Sequence, residues 1–481
     1  MKNYIMVFLS LFYYGNAICQ NTGIGTSSPV EKLHVAGNIK ADTLKPDALK
    51  LLPNAATGKV LTSDAAGNAS WQLGSTTETG NQGFGFWGDC ATRNMGEYKP
   101  VADANGTAGD NFGYGVSISG NYAIVGCYGD DSTAGTDQGS ATIYQYLGGT
   151  WTPMQKIVDA TGAAGDLFGY SVSISGNYAI IAAPADAGTA GSFQGSASIY
   201  QYQGGSWVLM NKITDATGAA NDNFGFSVSI SGNYAIVGAN NDDGIAGVNQ
   251  GSASTYQFNG SNWVLMNKIT DATGAAGDGF GYSVSISGNY AIVGAPADAG
   301  TGGTFQGSAS TYQYLGGNWV LMQKITDAEG AALDNFGGSV SISGNYAIVG
   351  AALDDGQSGT DQGSASIYQN LVGSWVFIQK ITDGGGAVGD NFGISVSLSG
   401  NYAIVGARLD DGAGGNDQGS ASIYIRLGSG WQRLQYVTDP GAGAVNYFGY
   451  ATAIEGTSLR FLIGANGFAN NMGKAVFGKI N

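Results

Sequence analysis

The sequence predicts an all-β protein: a seven-bladed β-propeller with four-stranded antiparallel blades, preceded by a short N-terminal arm. Two observations carry this prediction. Each repeat contains four short segments with strand character, separated by turn residues, and no stretch has convincing helical periodicity. The dipeptide Phe-Gly recurs at a constant interval of 56 residues, at Phe112, Phe168, Phe224, Phe280, Phe336, Phe392 and Phe448.

The second copy of the repeat illustrates the four strands. In 168–175, Val172 and Ile174 alternate with serines, which is the period of a strand with one buried face. A Gly-Asn turn signal precedes the apolar strand at 178–183, and a longer loop then leads to strands at 196–202 and 207–213. Four antiparallel strands repeated seven times are typical of a propeller, whose closed ring leaves only short strand edges.

The two ends of the repeat region predict how the ring closes. The seventh copy stops after its third strand, at 473–480, and lacks a fourth. Residues 96–101, ahead of the first Phe-Gly, occupy the register of a fourth strand. The last blade should therefore combine three strands from one end of the region with one from the other. Opening the ring would then break a whole strand ladder.

The segments before the ring predict an exported protein. A charged start, a short apolar run and small residues make 1–19 a signal peptide. Residues 20–75 form the arm, 76–85 a polar glycine-rich linker, and 86–481 the propeller. The apolar run is too short to span a bilayer as a helix, and no later segment is long and apolar enough. We therefore expect a secreted or cell-surface protein without a transmembrane segment.

Composition excludes several functional classes. Glycine accounts for 82 of the 481 residues, and the net charge is −16. An acidic chain with few clustered Lys and Arg argues against a nucleic-acid partner or an anionic membrane. The single histidine, His34, removes most His-dependent catalytic and zinc mechanisms from consideration.

Two cysteines suggest a disulfide. If Cys19 leaves with the signal peptide, Cys90 and Cys127 remain, and an exported protein favours their oxidation. Cys90 lies just before the closing strand and Cys127 ends the second strand of blade 1, so a bond would reinforce the closure. The alternative is two free, buried thiols.

The repeated motif resembles a known family. Phe-Gly-x-Ser-Val-Ser-x-Ser-Gly-Asn-Tyr-Ala-Ile-Val-Gly-Ala, followed later by Gln-Gly-Ser-Ala-x-x-Tyr, resembles the FG-GAP repeat. That repeat builds the seven-bladed propeller of integrin α subunits and of many bacterial surface proteins. The resemblance implies extracellular binding or adhesion. Segments 21–38 and 58–71 look like stalk segments of bacterial surface and tail-fibre-like proteins, which often form trimers. A monomer with a short irregular arm and a trimer held through the arm are both open.

Calcium is the one cofactor that the sequence suggests. Integrin-type repeats carry an acidic loop between the first two strands, but here that turn is only Ser-Gly-Asn-Tyr, so their calcium site does not transfer. A different loop, after the second strand, carries paired carboxylates in four copies, a ligand type that suits calcium. The alternative is turn-forming aspartate bonded to its own backbone. The candidate ligands are Asp130, Asp131, Asp242, Asp243, Asp354, Asp355, Asp410, Asp411 and Asp417.

Other columns of residues follow the same interval. Aspartates recur before each Phe-Gly, in the Asp103 and Asp110 series, and are best explained by turns. Tryptophans of the Trp151 series and tyrosines of the Tyr144 series predict packing between blades, with sugar stacking as the alternative.

The functional prediction is non-catalytic binding or adhesion, in which loops on one propeller face meet an extracellular glycan or protein. Two alternatives remain open. One is a glycan-active enzyme that uses two loop carboxylates. The other is the structural head of a surface stalk assembly.

Overall fold

The computed structural model describes residues 96–480, apart from 133–134, 190, 246, 300–302, 356–359, 413–414 and 442, together with four short strands nearer the N-terminus. The chain divides into two compact units, 1–90 and 91–481. In the first unit, β1 (Thr22–Ile24) pairs in parallel with β2 (Leu33–Val35), and β3 (Lys59–Ser63) forms an antiparallel hairpin with β4 (Ala69–Leu73). The predicted signal peptide and linker lie outside the described residues.

The second unit is the predicted ring of seven four-stranded antiparallel sheets, which confirms the fold class. Strands follow one another in chain order within each of the first six sheets. Blade 1 contains β6 (Phe112–Ser119), β7 (Tyr122–Cys127), β8 (Ser140–Leu147) and β9 (Thr150–Ile157). Blade 2 contains β10 (Val172–Ser175), β11 (Tyr178–Ala183), β12 (Ser196–Gln203) and β13 (Ser206–Ile213). Blade 3 contains β14 (Ser227–Ser231), β15 (Tyr234–Ala239), β16 (Ser252–Phe258) and β17 (Trp263–Ile269).

The next three blades repeat this arrangement. Blade 4 contains β18 (Ser283–Ser287), β19 (Tyr290–Ala295), β20 (Ser308–Leu315) and β21 (Asn318–Ile325). Blade 5 contains β22 (Ser339–Ser343), β23 (Tyr346–Ala351), β24 (Ser364–Leu371) and β25 (Ser374–Ile381). Blade 6 contains β26 (Phe392–Ser399), β27 (Tyr402–Ala407), β28 (Ser420–Leu427) and β29 (Gly430–Thr438).

Blade 7 closes the ring in the predicted way. It contains β30 (Phe448–Glu455), β31 (Arg460–Ala465), β32 (Lys474–Lys479) and the N-terminal strand β5 (Gly96–Val101). β5 runs antiparallel to β32, with Val101 opposite Ala475, so the combination of three strands with one is confirmed. The short element α1 (Phe468–Asn471) links β31 to β32 and contains residues with left-handed backbone angles.

Serines of the first strand join neighbouring blades. The backbone N–H of Val228 donates to Ser171 Oγ at 3.0 Å, and that of Ile230 donates to Ser173 Oγ at 3.1 Å. Similar bonds recur from blade to blade. The serine side chains therefore supply acceptors for amide groups at the inner edge of each sheet, which would otherwise lack a partner.

The Phe-Gly dipeptide is a point of close contact between blades. The phenyl ring is almost fully buried in all seven copies. At Gly281 φ is +90°, and an added Cβ would lie 2.1 Å from the carbonyl oxygen of Ser252. A Cβ on Gly238, in the preceding blade, would lie 2.0 Å from the carbonyl oxygen of Gly281. Blade 2 carries Ala182 at the position of Gly238. An added Cβ on Gly225, the next Phe-Gly glycine, would lie 2.6 Å from the carbonyl oxygen of Ser196, compared with 2.1 Å for the same contact at Gly281.

Replacement of these two glycines should have unequal effects. We expect Gly281→Ala to lower the free energy of unfolding by about 3 kcal/mol, because it combines a left-handed backbone with a backbone clash. Gly238→Ala should cost clearly less, since blade 2 already accommodates alanine at that position. Urea unfolding monitored by tryptophan fluorescence would measure both. Equal losses in the two variants would contradict this account of the Phe-Gly contact.

Candidate binding site on the long-loop face

The propeller has two unlike faces. We call the long-loop face the one that carries the connections from second to third strands and from each fourth strand to the next blade. The hairpin face carries the short turns between first and second strands, such as Gly176-Asn177, and between third and fourth strands, such as Gly204-Gly205. All the acidic candidates of the sequence lie on the long-loop face.

A lysine on the fourth strand holds two aspartates together on this face. Lys212 Nζ lies 2.7 Å from Asp159 Oδ2 and 2.7 Å from Asp186 Oδ2. Asp159 belongs to the connection from blade 1, and Asp186 belongs to the second-to-third-strand loop of blade 2. We call this arrangement the Asp-Lys-Asp clamp. It recurs in five blades, with the central lysines Lys156, Lys212, Lys268, Lys324 and Lys380.

Burial and charge oppose each other within a clamp. Burial raises the pKa of Asp215, but hydrogen bonds from Lys268 and Thr217 outweigh it, and the pKa lies below its usual value. Burial likewise lowers the pKa of Lys268, while Asp215 and Asp242 raise it more strongly, so the net shift is upward. Both shifts favour the charged forms at neutral pH, so the clamp is an ion triplet there.

The clamp separates the two residues of each predicted calcium pair. The first residue, Asp130, Asp242 or Asp354, bonds the lysine. The second accepts a backbone N–H from further along the same loop: Asp243 Oδ1 lies 2.9 Å from the nitrogen of Asn249. Asp131, Asp355 and Asp411 make the same contact with Asp137, Asp361 and Asp417. Calcium binding by these residues stays a prediction. In blades 1, 3 and 5, an ion at the first aspartate would have to displace a lysine that is paired with two carboxylates.

Blades 6 and 7 depart from the clamp. In blade 6, Tyr436 replaces the lysine and its hydroxyl donates to Asp410, while Arg433 Nη1 lies 2.8 Å from Asp383 Oδ1. In blade 7 the cation comes from the third strand, where Lys474 pairs with Asp439. The first aspartate of each predicted calcium pair therefore bonds a lysine or a tyrosine of the protein.

A glutamine before the third strand of blades 1 to 6 adds hydrogen bonds to this belt of contacts between blades. Gln194 Nε2 donates to the carbonyl oxygen of Asp215 at 3.1 Å, in the connection to the next blade. In blades 1 to 5, the second-to-third-strand loop therefore contacts the connection on one side through a clamp and the connection on the other through a glutamine. The glutamines are Gln138, Gln194, Gln250, Gln306, Gln362 and Gln418.

Aspartates of the Asp110 series fold the connections. Asp334 Oδ2 accepts the backbone N–H of Ala331 at 2.6 Å, as expected for a turn. Burial raises the pKa of Asp334 to about 6, and the nearby charge of Asp354 adds to the shift. Asp390 has a pKa of about 6, also mainly because of burial. Asn446 takes the same place in the seventh copy.

Cys127 lies beside the first clamp. Its Sγ is 3.3 Å from the carbonyl oxygen of Asp110, and burial raises the pKa of the thiol. Ligand atoms of Asp103, Cys127 and Asp130 lie within 4.8 Å of one another, but Lys156 already bridges the two carboxylates. Cys90 lies outside the described residues, so the disulfide stays a prediction.

The tryptophan column packs between blades. Tyr178 of blade 2 lies edge-on to Trp263 of blade 3, with ring centroids 5.4 Å apart. The same contact joins Tyr122 to Trp207 and Tyr234 to Trp319. Tryptophans and tyrosines of the two series are buried, which favours packing over an exposed sugar platform at these positions.

A different aromatic group surrounds the mouth of the central channel. The cavity at this mouth has a volume of about 750 Å³. Its wall includes the second residue after each Phe of the repeat, and the rings touch their neighbours around the channel: the Tyr114 centroid lies 4.7 Å from Tyr170 and 4.8 Å from Tyr450. This column reads Tyr114, Tyr170, Phe226, Tyr282, Gly338, Ile394 and Tyr450.

The cavity is asymmetric. Gly338 and Ile394 leave the aromatic series open on the side of blades 5 and 6. On that side Arg408, half-buried, lies with its guanidinium carbon 5.7 Å from the Tyr450 centroid. Its Nε donates to Asn391 Oδ1 at 3.4 Å. Among the described lining residues, Arg408 is the one charged side chain, and asparagines, serines, tyrosines and a threonine supply the other polar groups.

Sequence reasoning missed this site. It considered the buried Tyr144 and Trp151 series and not the tyrosines at the channel mouth. The signal was present, since the Tyr114 column keeps the interval of 56 residues and breaks only at Gly338 and Ile394. The lysines of the clamps keep the same interval and were missed for the same reason.

A closed ring of seven four-stranded blades defines the class of β-propeller proteins. The chain belongs to the FG-GAP repeat family, whose model matches more than half of it, at residues 99–144, 151–200, 207–256, 263–312, 319–368 and 375–424. The structure adds a seventh blade beyond these six matches. No curated protein matches the chain. In the part of the chain that the structure describes, no helix has the length and apolar character to cross a membrane.

Breaking one clamp should destabilise the ring in a pH-dependent way. We expect Lys268→Met to lower the free energy of unfolding by about 2 kcal/mol at pH 7, because two mostly buried carboxylates lose their cation. A lowered Asp pKa stabilises the fold above the usual Asp pKa, and that contribution is lost as pH falls through the folded value. The difference from wild type should therefore shrink in acid.

Urea unfolding at pH 7 and in acid would test this, with Lys479→Met as the matched control, because Lys479 is exposed on β32. A loss from Lys268→Met that is independent of pH would point to packing and not to the ion triplet.

The charged carboxylate of Asp334 should destabilise the fold at neutral pH, in contrast to that of Asp215 in the clamp. The raised pKa of Asp334 means that the folded state binds a proton more tightly than the unfolded chain, so its contribution to stability rises as pH falls through about 6. Asp334→Asn should therefore raise the free energy of unfolding at pH 7 by about 1 kcal/mol, as the carbonyl of the amide still accepts the Ala331 N–H. Thermal unfolding between about pH 4 and 8 would measure the difference, because this range covers the pKa of the carboxyl group in both the unfolded and the folded state. A variant less stable than wild type at pH 7 would contradict the prediction.

Proposed function

We propose that this protein is a non-catalytic binding protein that acts outside the cytoplasm, secreted or at the cell surface, and captures an extracellular ligand at the central cavity of the long-loop face. The observation that carries the proposal is the cavity itself. A volume of about 750 Å³ falls in the range of ligand pockets, and its wall combines tyrosine rings, asparagine amides and one arginine.

Membership of the FG-GAP repeat family supports a place outside the cytoplasm, since such repeats are typical of extracellular proteins. The signal-peptide pattern at 1–19 supports the same location. N-terminal sequencing of the exported protein would show whether residues 1–19 are removed.

The partners of the acidic residues support binding over catalysis. A glycosidase needs two carboxyl groups facing its substrate. On the long-loop face, the first aspartate of each pair bonds a lysine or tyrosine, and the second bonds backbone N–H groups. Within the described residues that line the cavity, no Asp, Glu, His, Lys or Cys occurs. The glycan-active alternative therefore lacks a pair of acids at the cavity.

A glycan is the ligand type that we favour over a folded protein. Tyrosine rings present apolar faces of a size that suits sugar rings, and their hydroxyl groups can bond to sugar hydroxyls. Amide side chains such as Asn240 and Asn335 donate and accept at the same site.

Filling the cavity should abolish binding without harm to the fold. Five of the six other positions in the Gly338 column carry an aromatic residue, so we expect Gly338→Tyr to fold. The added ring would restore the interrupted series and occupy the open side. Glycan and protein arrays probed with the full chain should show ligands that wild type binds and Gly338→Tyr loses, by about tenfold or more in affinity.

Leu315→Tyr is the matched control, because it adds a tyrosine at an exposed position at the end of β20, on the side of the hairpin face. Ligands that bind wild type and Gly338→Tyr equally would place the site elsewhere. No ligand in either array would count against the binding function as a whole.

A further inference from the structure

We propose that Arg408 recognises a carboxylate of the ligand, so that the central cavity takes oligosaccharides that contain uronic acid. This inference rests on the proposed function, because it assigns the ligand class of the same cavity. It goes beyond that function by naming the charged group that distinguishes acidic from neutral sugars.

Arg408 is the one cation among the described residues that line the cavity, and it has no anionic partner. Lys99, Arg426 and Arg460 also bond only neutral groups, but they do not line the cavity. The clamp lysines each pair with two aspartates, Lys474 pairs with Asp439, and Arg433 pairs with Asp383. Across the described part of the chain, no carboxylate oxygen lies within 4.0 Å of the Arg408 guanidinium. The Nε–H is used by Asn391, which leaves both terminal nitrogens for a ligand.

The position of Arg408 makes this isolation informative. A half-buried cation is normally paired, because removal from water costs free energy that an anion offsets. The charge of Arg408 acts on Tyr282 and Tyr450, whose pKa values burial raises and Arg408 lowers in part. Arg408 therefore faces the aromatic wall of the cavity, and an anion bound among these rings would lie within its reach.

The repeats show that the fold does not require an arginine here. Arg408 is the first residue after β27, and the corresponding residues in other blades differ in size and polarity. They are Tyr128, Pro184, Asn240, Pro296, Ala352 and Asn466. Arg408 and Ile394 belong to blade 6 and Gly338 to blade 5, and all three line the cavity where the aromatic column is interrupted. One unpaired cation and the open space thus coincide in the same sector of the ring.

The geometry favours a saccharide over an acidic peptide. A peptide commonly binds by adding a strand to an exposed sheet edge. At the cavity, β26 pairs with β27 on one side, and its serines bond the neighbouring blade on the other. The wall offers side-chain amides, phenol groups and ring faces instead. A guanidinium binds a carboxylate through two parallel hydrogen bonds, which suits the planar acid group of a uronic acid.

The test compares uronic-acid oligosaccharides with their methyl esters, because esterification removes the charge and keeps the sugar. The probes are oligogalacturonate, oligomannuronate and hyaluronan oligosaccharides, each against its ester, titrated calorimetrically into the full chain. We expect at least one free acid to bind wild type about tenfold or more tighter than its ester. In Arg408→Ala, which copies Ala352, acid and ester should bind equally.

Three further variants separate the outcomes. Arg408→Lys should retain part of the preference for the acid, Gly338→Tyr should abolish binding of both forms, and Arg426→Gln, with its charge on the hairpin face, should match wild type. If Gly338→Tyr blocks binding but Arg408→Ala keeps the preference for the acid, this inference is wrong and the proposed function stands.

The remaining outcomes are also decisive. Tighter binding of an oligo-aspartate peptide, lost in Arg408→Ala, would keep the cavity and its cation but overturn the saccharide class. No binding of any acid or ester by wild type would overturn the inference. Binding of the acids that Gly338→Tyr leaves intact would overturn both the inference and the proposed site.

Discussion

The belt of hydrogen bonds and ion pairs between successive blades is the constraint on which the rest of the structure depends. A single four-stranded blade leaves both faces of its sheet exposed and must pack against neighbours. In blades 1 to 5, clamps such as Asp215-Lys268-Asp242 fix the second-to-third-strand loop to the connection before it, and glutamines such as Gln250 fix it to the connection after it. Because the belt runs around the long-loop face, it holds the channel mouth and its aromatic side chains in place.

The sequence predicts the ring well because the same pattern of strands and turn residues recurs in seven copies. The Phe-Gly interval gives the number of blades, and the missing fourth strand of the last copy predicts the pairing of β5 with β32. The contacts of the polar residues are predicted less well from the sequence. Asp242 and Asp243 are adjacent in sequence, yet one faces a lysine and the other a backbone amide, and only the folded loop separates their partners.

The candidate site could be predicted only in part, for a related reason. A repeated residue such as Tyr170 looks structural, because five of the seven copies carry an aromatic residue at its position. What makes the cavity is the exception, and exceptions such as Gly338 and Arg408 lie 70 residues apart in the chain. Their proximity follows from the placement of blades 5 and 6 side by side around the channel. In a repeat protein, binding sites arise where copies stop being alike.

The pairing of β5 with β32 has a consequence for biosynthesis. β5 is the first strand of the ring to be made, and its partner at Lys474–Lys479 is the last. Until β32 has been made, β5 lacks its partner strand, and the contact between the two strands then closes a very long loop. During that interval β5 of one chain can pair with β32 of another. A high local concentration of newly made chains would therefore favour strand-exchanged dimers, which chaperones that shield β5 would prevent.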